Sequence, residues 1–196
     1  MDTRAHYLQL VAKIDAFFAS VQATYRDRMQ CGPGCSDCCH SRFSVTLVEA
    51  EHIAEGVASL APEVRTRLRA RARTGDPQRC AALADDGMCE IHPFRPIICR
   101  SHGAPIYCPP PALPDQAPDE PLARARAAAD DGRVHLPVIE VCPKNFRSGF
   151  ADVEHTLILD QNTVSTVLGA LDAIFADTHD LARGTRVAIH DILAET

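Results

Sequence analysis

The spacing of the cysteines constrains this chain more than any other feature. The 196 residues include nine cysteines, and all nine lie between residues 31 and 142. Four of them follow the pattern Cys-x3-Cys-x2-Cys-Cys, which begins at Cys31. Cysteines that only fill an apolar core would not cluster in this way and leave both flanking segments empty. The spacing therefore predicts thiolate ligands to metal, in a chain whose folding depends partly on that metal.

The first cluster has the local features that a thiolate site requires. A gap of two or three residues lets the backbone curl until two sulfurs reach one ion, at about 2.3 Å for zinc. Gly32, Pro33 and Gly34 favour such a turn, and its backbone N–H groups can bond to sulfur. Cys38 and Cys39 are adjacent, so their side chains diverge and either serve different ions or include one bridging ligand. Eight thiolates would suit two four-coordinate sites or one polynuclear cluster.

The cysteine pattern leaves the metal open between zinc and an iron–sulfur cluster, since both accept four thiolates. Separated pairs on loops favour zinc. A proline directly after Cys108 and after Cys142 favours iron–sulfur, because it follows the last ligand in some ferredoxins. Three histidines lie within three residues of a cysteine and could replace a thiolate, although hydrogen bonding is the commoner role for a single histidine. They are His40, His92 and His102.

Composition and charge limit the classes of partner that the protein can bind and the cellular compartment in which we expect it. The net charge of -6 and the pI of about 5.8 provide no basic field for nucleic acid or acidic lipid. No apolar run approaches the roughly 20 residues that cross a bilayer, and residues 1–4 lead into an amphipathic pattern instead of an apolar signal core. We therefore expect a cytoplasmic protein with metal ions as partners, no nucleic-acid or membrane partner, and thiols that are kept reduced.

Helical periodicity at both ends predicts a mainly α fold. A first helix should end near Met29, a second should begin after Thr46 with a capping box to Glu49, and a third should run from Pro62 to about Arg73. Three arginines on one face of the third helix predict a solvated face, and they are Arg65, Arg69 and Arg73.

The last forty residues repeat the helical pattern. Asp160 or Asn162 should cap a long helix, and Gly184 should mark a stop before a short final helix. That final helix should contain Val187, Ile189 and Leu193.

The middle of the chain should be irregular. Residues 80–83 and 88–91 flank a turn and predict a short hairpin, and a helical turn should follow at residues 97–100. Six prolines in residues 109–121 predict an extended loop or lid, before a short helix at 122–130. The fold class is mainly α, with N- and C-terminal helices around an irregular Cys-rich metal-binding centre and a short β-hairpin. We expect one domain over residues 1–196, with the metal-binding region at 30–145.

The order of these motifs resembles the YkgJ-type cysteine-cluster family over about residues 30–145. The resemblance is carried by Cys31-x3-Cys35-Ser36-x-Cys38-Cys39, Val45-Thr46-x-x-Glu49-Ala50, Cys80-x-x-Leu83, Cys89-x5-Arg95-Pro96-x-x-Cys99-Arg100 and the late Cys142. Members are described as zinc- or iron-chelating proteins, and some have been called Fe–S oxidoreductases. The resemblance implies eight metal ligands: Cys31, Cys35, Cys38, Cys39, Cys80, Cys89, Cys99 and Cys142.

The same resemblance leaves Cys108 outside the ligand pattern, and the family usually has a tyrosine at the position of His92. It also draws attention to Arg95 and Arg100, which would donate charge-assisted bonds to cluster sulfurs or an acidic partner. A structural salt bridge is an equally good expectation for these two arginines.

Three functions fit the sequence. The first is a metal-binding module whose zinc or iron is structural or carried. The second is an Fe–S-dependent oxidoreductase or a radical-SAM-like methyltransferase, because Cys31-x3-Cys35-x2-Cys38 has that spacing and the cysteine region is similar to flagellin lysine N-methylases. Against the second, Asp37 replaces the usual aromatic residue and the strand–helix alternation of a partial barrel is missing. The third is a thiol redox sensor that uses Cys38 and Cys39, or Cys108.

Overall fold

A computed structural model describes residues 2–76, 78–108, 138–149 and 152–196. The helices of these ranges are α1 Thr3–Thr24, α2 Leu47–Ala58, α3 Pro62–Thr74, α4 Ile97–Ser101, α5 Gln161–Thr178 and α6 Ile189–Glu195. The short strands are β1 Ser44–Val45, β2 Ile106–Cys108, β3 Val138–Glu140, β4 Leu159–Asp160 and β5 Val187–Ala188. The mainly α fold with a Cys-rich middle is confirmed.

Helix α1 packs against both α4 and α5. Asp2 caps it by accepting a hydrogen bond from the Ala5 N–H at 2.9 Å. Its buried face contributes to an apolar cluster with α5, whose members include Tyr7, Leu10, Val11, Ile14, Val164, Leu171 and Phe175. The helix ends at Thr24, and a 3-10 turn at Arg26–Arg28 takes the chain on to Met29. It is therefore shorter than the apolar periodicity predicts.

The capping box at the start of α2 is confirmed. The Glu49 carboxylate accepts bonds from the Thr46 N–H and hydroxyl, each at 2.9 Å. The N–H of Val48 donates to Asp172 of α5 at 3.1 Å. Both carboxylates are buried, at 2% and 4% exposure. The N-terminal N–H groups of α2 are thus satisfied from two directions, which fixes where this helix begins.

On the arginine face of α3, Arg73 is exposed as predicted, whereas Arg65 and Arg69 are half-buried. Arg69 donates to the carbonyl of Thr196 at 2.5 Å, and Arg73 donates to that of Ala194 at 3.0 Å. The last carbonyls of α6 lack helical partners, so cationic side chains there satisfy them. These arginines tie α6 against α3.

Two small sheets were not expected. Strands β1 and β5 pair antiparallel, with Val45 opposite Val187. In the second sheet β2 lies between antiparallel β3 and parallel β4. Val187 therefore belongs to a strand and not to the final helix, which begins at Ile189. Helix α5 already ends at Thr178, and Gly184 adopts φ +74° in the loop that follows.

The predicted hairpin at residues 80–91 is present in a minimal form. Leu83 and Cys89 form an antiparallel bridge, and the Glu90 N–H donates to the Ala82 carbonyl at 2.9 Å. The predicted loop at 109–121 and helix at 122–130 lie outside the described residues. Across the described part of the chain, no helix combines the length and the apolar character that crossing a membrane requires.

Candidate metal centre

One cavity of about 620 Å³ lies between α1, the 31–43 segment, the hairpin, α4 and the start of α6. Eight of the nine cysteines line it: Cys31, Cys35, Cys38, Cys39, Cys80, Cys89, Cys99 and Cys142. The ninth, Cys108, ends strand β2 and is not part of the lining. The cavity thus gathers the eight cysteines that the motif pattern singles out and leaves out the one that it excludes.

Four of these cysteines form one wall of the cavity, which we call the hairpin set: Cys39, Cys80, Cys89 and Cys99. Cys80 and Cys89 lie on the two arms of the hairpin, and Cys99 lies in α4. The Cys80 N–H donates to the Cys39 carbonyl at 2.7 Å and joins the first cluster to the hairpin. Cys39 and Cys99 each interact electrostatically with both hairpin thiols.

Backbone N–H groups point at the hairpin sulfurs. The Cys80 sulfur accepts bonds from Ala82 and Leu83, and the Cys89 sulfur accepts one from Ile91. Each donor lies two or three residues after its cysteine, because the chain turns back at that point. Such bonds orient a thiolate and stabilise its charge. The sequence predicted them in the 31–39 loop, and the structure shows them in the hairpin.

The protonation of these thiols depends on burial and on their mutual proximity. Burial raises the pKa of Cys80, Cys89 and Cys99, and neighbouring thiols raise it further. The hydrogen bond between the adjacent cysteines lowers the pKa of Cys38 to about 6 and raises that of Cys39. A bound cation removes the cost of gathering thiolates, so metal binding here is coupled to proton release.

The opposite wall is organised by one buried carboxamide, and we call its cysteines the Asn145 set: Cys31, Cys35 and Cys142. Asn145 is 2% exposed. Its Nδ2 donates to the Cys31 sulfur at 3.2 Å and to the Gly103 carbonyl at 2.7 Å. Its own backbone N–H donates to the Cys142 carbonyl at 2.8 Å. One residue therefore fixes Cys31 relative to the turn that carries Cys142.

The backbone of Gly103 lies very close to the sulfur of Cys31. It adopts φ +104°, and a Cβ built there would lie 2.5 Å from the Cys31 sulfur and 3.3 Å from Asn145 Nδ2. A side chain at this position would be strained and would occupy the space of the sulfur. The close approach of the backbone to Cys31 therefore requires glycine.

Cys38 lies between the two walls. It interacts electrostatically with Cys31 on one side and with the hairpin set on the other. Considering only residues whose placement is described, no three Cys, His, Asp or Glu side chains are grouped closely enough to hold an ion. The thiols share a cavity without forming a finished coordination sphere. Their donor chemistry fits zinc or iron, and a sphere that closes on binding is usual when metal binding and folding are coupled.

Histidine and arginine side chains also line the cavity. His92 and His102 line it, as does His190 of α6, which sequence analysis did not single out. Burial lowers the pKa of His92 and His102 and favours the neutral form that binds metal. Arg95 lines the cavity too and contributes to lowering the pKa of Cys38. His40 is exposed and is not part of the lining.

Arg100 also lines the cavity but is engaged in structural contacts. Its guanidinium donates to Asp15 of α1 at 2.6 Å, and to the carbonyls of Pro93 and Arg95 at 2.5 and 2.6 Å. A nearby contact joins two of the sequence motifs, since the Ile97 N–H donates to Glu49 at 3.0 Å. The same carboxylate caps α2 and the start of α4, and thereby positions the helix that carries Cys99.

Asn145 and Gly103 contribute to the cavity but were not predicted from the sequence. The only signal for Asn145 was its position three residues after Cys142, in Cys-Pro-Lys-Asn. Gly103 directly follows the candidate ligand His102, but nothing in the sequence distinguishes it from other loop glycines. Both act through contacts across the fold, which no local pattern encodes.

Comparison with known proteins supports the chemistry of this cavity. Residues 30–112 match the family model CxxCxxCC, described as "Putative zinc- or iron-chelating domain". The match includes every cysteine of the cavity except Cys142, and it also spans Cys108. No curated protein and no solved structure matches the chain.

Proposed function

We propose that the eight cysteines of the cavity bind zinc or iron through thiolates, and the match of residues 30–112 to a zinc- or iron-chelating family model supports this proposal. The observation that carries this proposal is the shared cavity, which contains these eight and not Cys108. The proposed metal-binding region then extends over residues 30–145, since Cys142 lines the cavity together with the earlier cysteines. Reduced thiols are required, which suits the cytoplasm.

The chain's own groups support the negative charge that such a site accumulates. Backbone N–H groups stabilise the sulfurs of Cys80 and Cys89, and Asn145 stabilises that of Cys31. Arg95 adds a positive charge inside the cavity. When bound, zinc supplies a redox-inactive cross-link, whereas an iron–sulfur cluster supplies electron transfer.

Purification without oxygen tests this proposal. Zinc, iron and acid-labile sulfide are measured per chain, together with the visible spectrum. A colourless protein with about two zinc ions identifies the zinc form, and a brown protein with sulfide identifies the iron–sulfur form. A protein that is fully folded and binds neither metal would refute the proposal.

Serine substitutions add the residue-level test. Cys99→Ser should lower metal content and stability, because Cys99 lies in the cavity. Cys108→Ser is the matched control and should retain the metal content of the unmodified chain. Equal losses in both variants would contradict the assignment of Cys108 outside the site.

A further inference from the structure

We propose that the cavity holds two separate ions, one bound by the hairpin set and one by the Asn145 set with Cys38 as its fourth ligand. This inference rests on the proposed function and extends it to the partition of the ligands. The sequence alone left open two four-coordinate sites, a bridging cysteine, or one polynuclear cluster.

The hairpin set is one structural unit. Cys80, Cys89 and Cys99 all pack against the same buried apolar cluster, which contains Ile53 and Leu68. The hairpin bridge pairs Leu83 with Cys89 and holds the two arms in register. The 2.7 Å bond from the Cys80 N–H to the Cys39 carbonyl brings the fourth cysteine onto the same wall. These cysteines provide four thiols, which is the full coordination number of zinc or of an iron in a thiolate site.

The Asn145 set is a second and independent unit. Its cysteines do not pack against that apolar cluster. Asn145 joins the Cys31 sulfur to the Cys142 turn, and its Oδ1 accepts the Gln30 N–H at 2.7 Å directly before Cys31. The Cys35 N–H donates to the Gly32 carbonyl at 3.0 Å and forms the turn that returns Cys35 toward Cys31. This unit supplies three thiols and lacks one.

Cys38 supplies the missing thiol. It is adjacent to Cys39, and side chains of neighbouring residues diverge, so the two cannot easily serve one ion. Since Cys39 is held by its backbone contact with Cys80, Cys38 is the one that remains for the second ion. It lines the cavity and interacts electrostatically with Cys31 as well as with the hairpin thiols, so the backbone contact of Cys39 is what assigns Cys38 to the second ion. With four thiolates for each ion, the two sites use all eight cysteines of the cavity, and no sulfur has to bridge two ions.

Counting ions in serine variants tests the partition. The full chain and its variants are loaded with zinc alone under anaerobic conditions, and bound zinc is measured after gel filtration. The unmodified chain should hold about two ions. Cys89→Ser and Cys35→Ser should each retain about one, and the double variant should retain none. Cys108→Ser should retain about two, as the control.

The outcomes separate this inference from the proposed function. An unmodified chain that binds no zinc or iron would refute the proposed function itself. A chain that binds about two zinc ions, but loses both in either single variant, would overturn only the partition and indicate one shared cluster. An unmodified chain with a single ion would also overturn it.

A measurement on the unmodified chain keeps the test valid if a variant fails to fold. Loaded with cadmium-113, the chain should give two tetrathiolate NMR signals that show no coupling to each other. A single signal, or coupling between two cadmium ions through a shared sulfur, would overturn the partition. Cys38→Ser should then alter one of the two signals and leave the other unchanged.

Discussion

The two walls of the cavity carry the same kind of side chain but are supported in different ways. The hairpin wall rests on the apolar core, since Ala81, Ala82 and Ile91 are at most 4% exposed and pack with Leu68 of α3. The segment from residue 30 to residue 44, which carries the first cysteine cluster, contains no buried residue. Similar ligands can therefore belong to segments of very different intrinsic stability.

Ion pairs follow the same division. On the hairpin wall, Glu90 binds both Arg71 and Arg67 of α3, and its side chain is only 15% exposed. On the other side, Lys144 binds Asp37 at 2.7 Å, with side chains 41% and 51% exposed. Exposed pairs contribute little to stability. The hairpin wall is therefore held by burial and charge, whereas the first cluster is held by hydrogen bonds such as that of Asn145 to Cys31 and would gain further support from a bound metal.

Metal removal should have the largest effect and should affect the segment of the first cysteine cluster more than the hairpin, although Cys39 of that segment belongs to the hairpin set. Structural zinc contributes about 10–16 kcal/mol in small zinc-finger peptides, so removing it should release the segment that lacks a core. We expect amide hydrogen exchange in residues 31–41 to approach that of an unfolded chain, while residues 80–92 retain protection. Mass spectrometry before and after chelation measures both. Equal loss of protection in residues 31–41 and 80–92 would show that the apolar core does not support the hairpin alone.

The next largest effect should come from Asn145→Asp. This change preserves the shape and the acceptor for the Gln30 N–H but removes the two N–H donors and places a carboxylate beside Cys31. Loss of such a supporting contact typically costs 10–100-fold in metal affinity. We expect a loss of this size for one ion, with the ion of the hairpin set unaffected, as measured by competition with a zinc chelator.

The matched control for this variant is Asn162→Asp, an exposed position in the first turn of α5. It should leave both affinities unchanged. If Asn145→Asp weakened both ions equally, the carboxamide would not be specific to one wall.

Glu90→Gln should lower stability by about 1–3 kcal/mol at pH 7, the usual contribution of charge-assisted hydrogen bonds. Burial raises the pKa of Glu90, but its bonds to Arg71 and Arg67 outweigh burial and leave the pKa below 4.5. A lowered carboxyl pKa adds stability above the unfolded value of 4.5, and this stability disappears as the pH falls through the folded pKa. The difference between the two proteins should therefore shrink as the pH falls below the ordinary pKa of a glutamate side chain.

Urea denaturation over this pH range measures the effect, with Glu154→Gln as the control at an exposed carboxyl group. The control should match the unmodified chain at every pH. A difference for Glu90→Gln that persisted unchanged at pH 3 would assign the loss to packing and not to charge.

The smallest effect should come from Asp37→Asn, although Asp37 lies between Cys35 and Cys38. Its pair with Lys144 is exposed and screened by salt. We expect no resolvable change in urea denaturation and no loss of zinc. Release of one ion from this variant would mean that the ion pair of Asp37 with Lys144 helps to hold the Asn145 set in place. The exposed pair would then contribute more than its exposure predicts.

Much of this arrangement was predictable because its signals are local. The capping box of Thr46 and Glu49, the hairpin around residues 84–87 and the start of α3 at Pro62 each depend on neighbours a few residues apart. The strands β1, β4 and β5 were not predictable, since two residues are too few to show a period of two. The assignment of Val187 failed for that reason, because pairing with Val45 decides its conformation.

Local sequence patterns were enough to predict helices at both ends, cysteines at chelating intervals, and Cys108 as the cysteine outside the ligand pattern. Those patterns do not encode the packing that brings eight of the cysteines to one cavity and places Asn145 and Gly103 beside Cys31. Asn145 reaches Cys31 from 114 positions away in the chain, and the Cys80 backbone meets that of Cys39 across α2 and α3. Such contacts depend on how helices pack, and packing is a property of the whole chain and not of any local pattern.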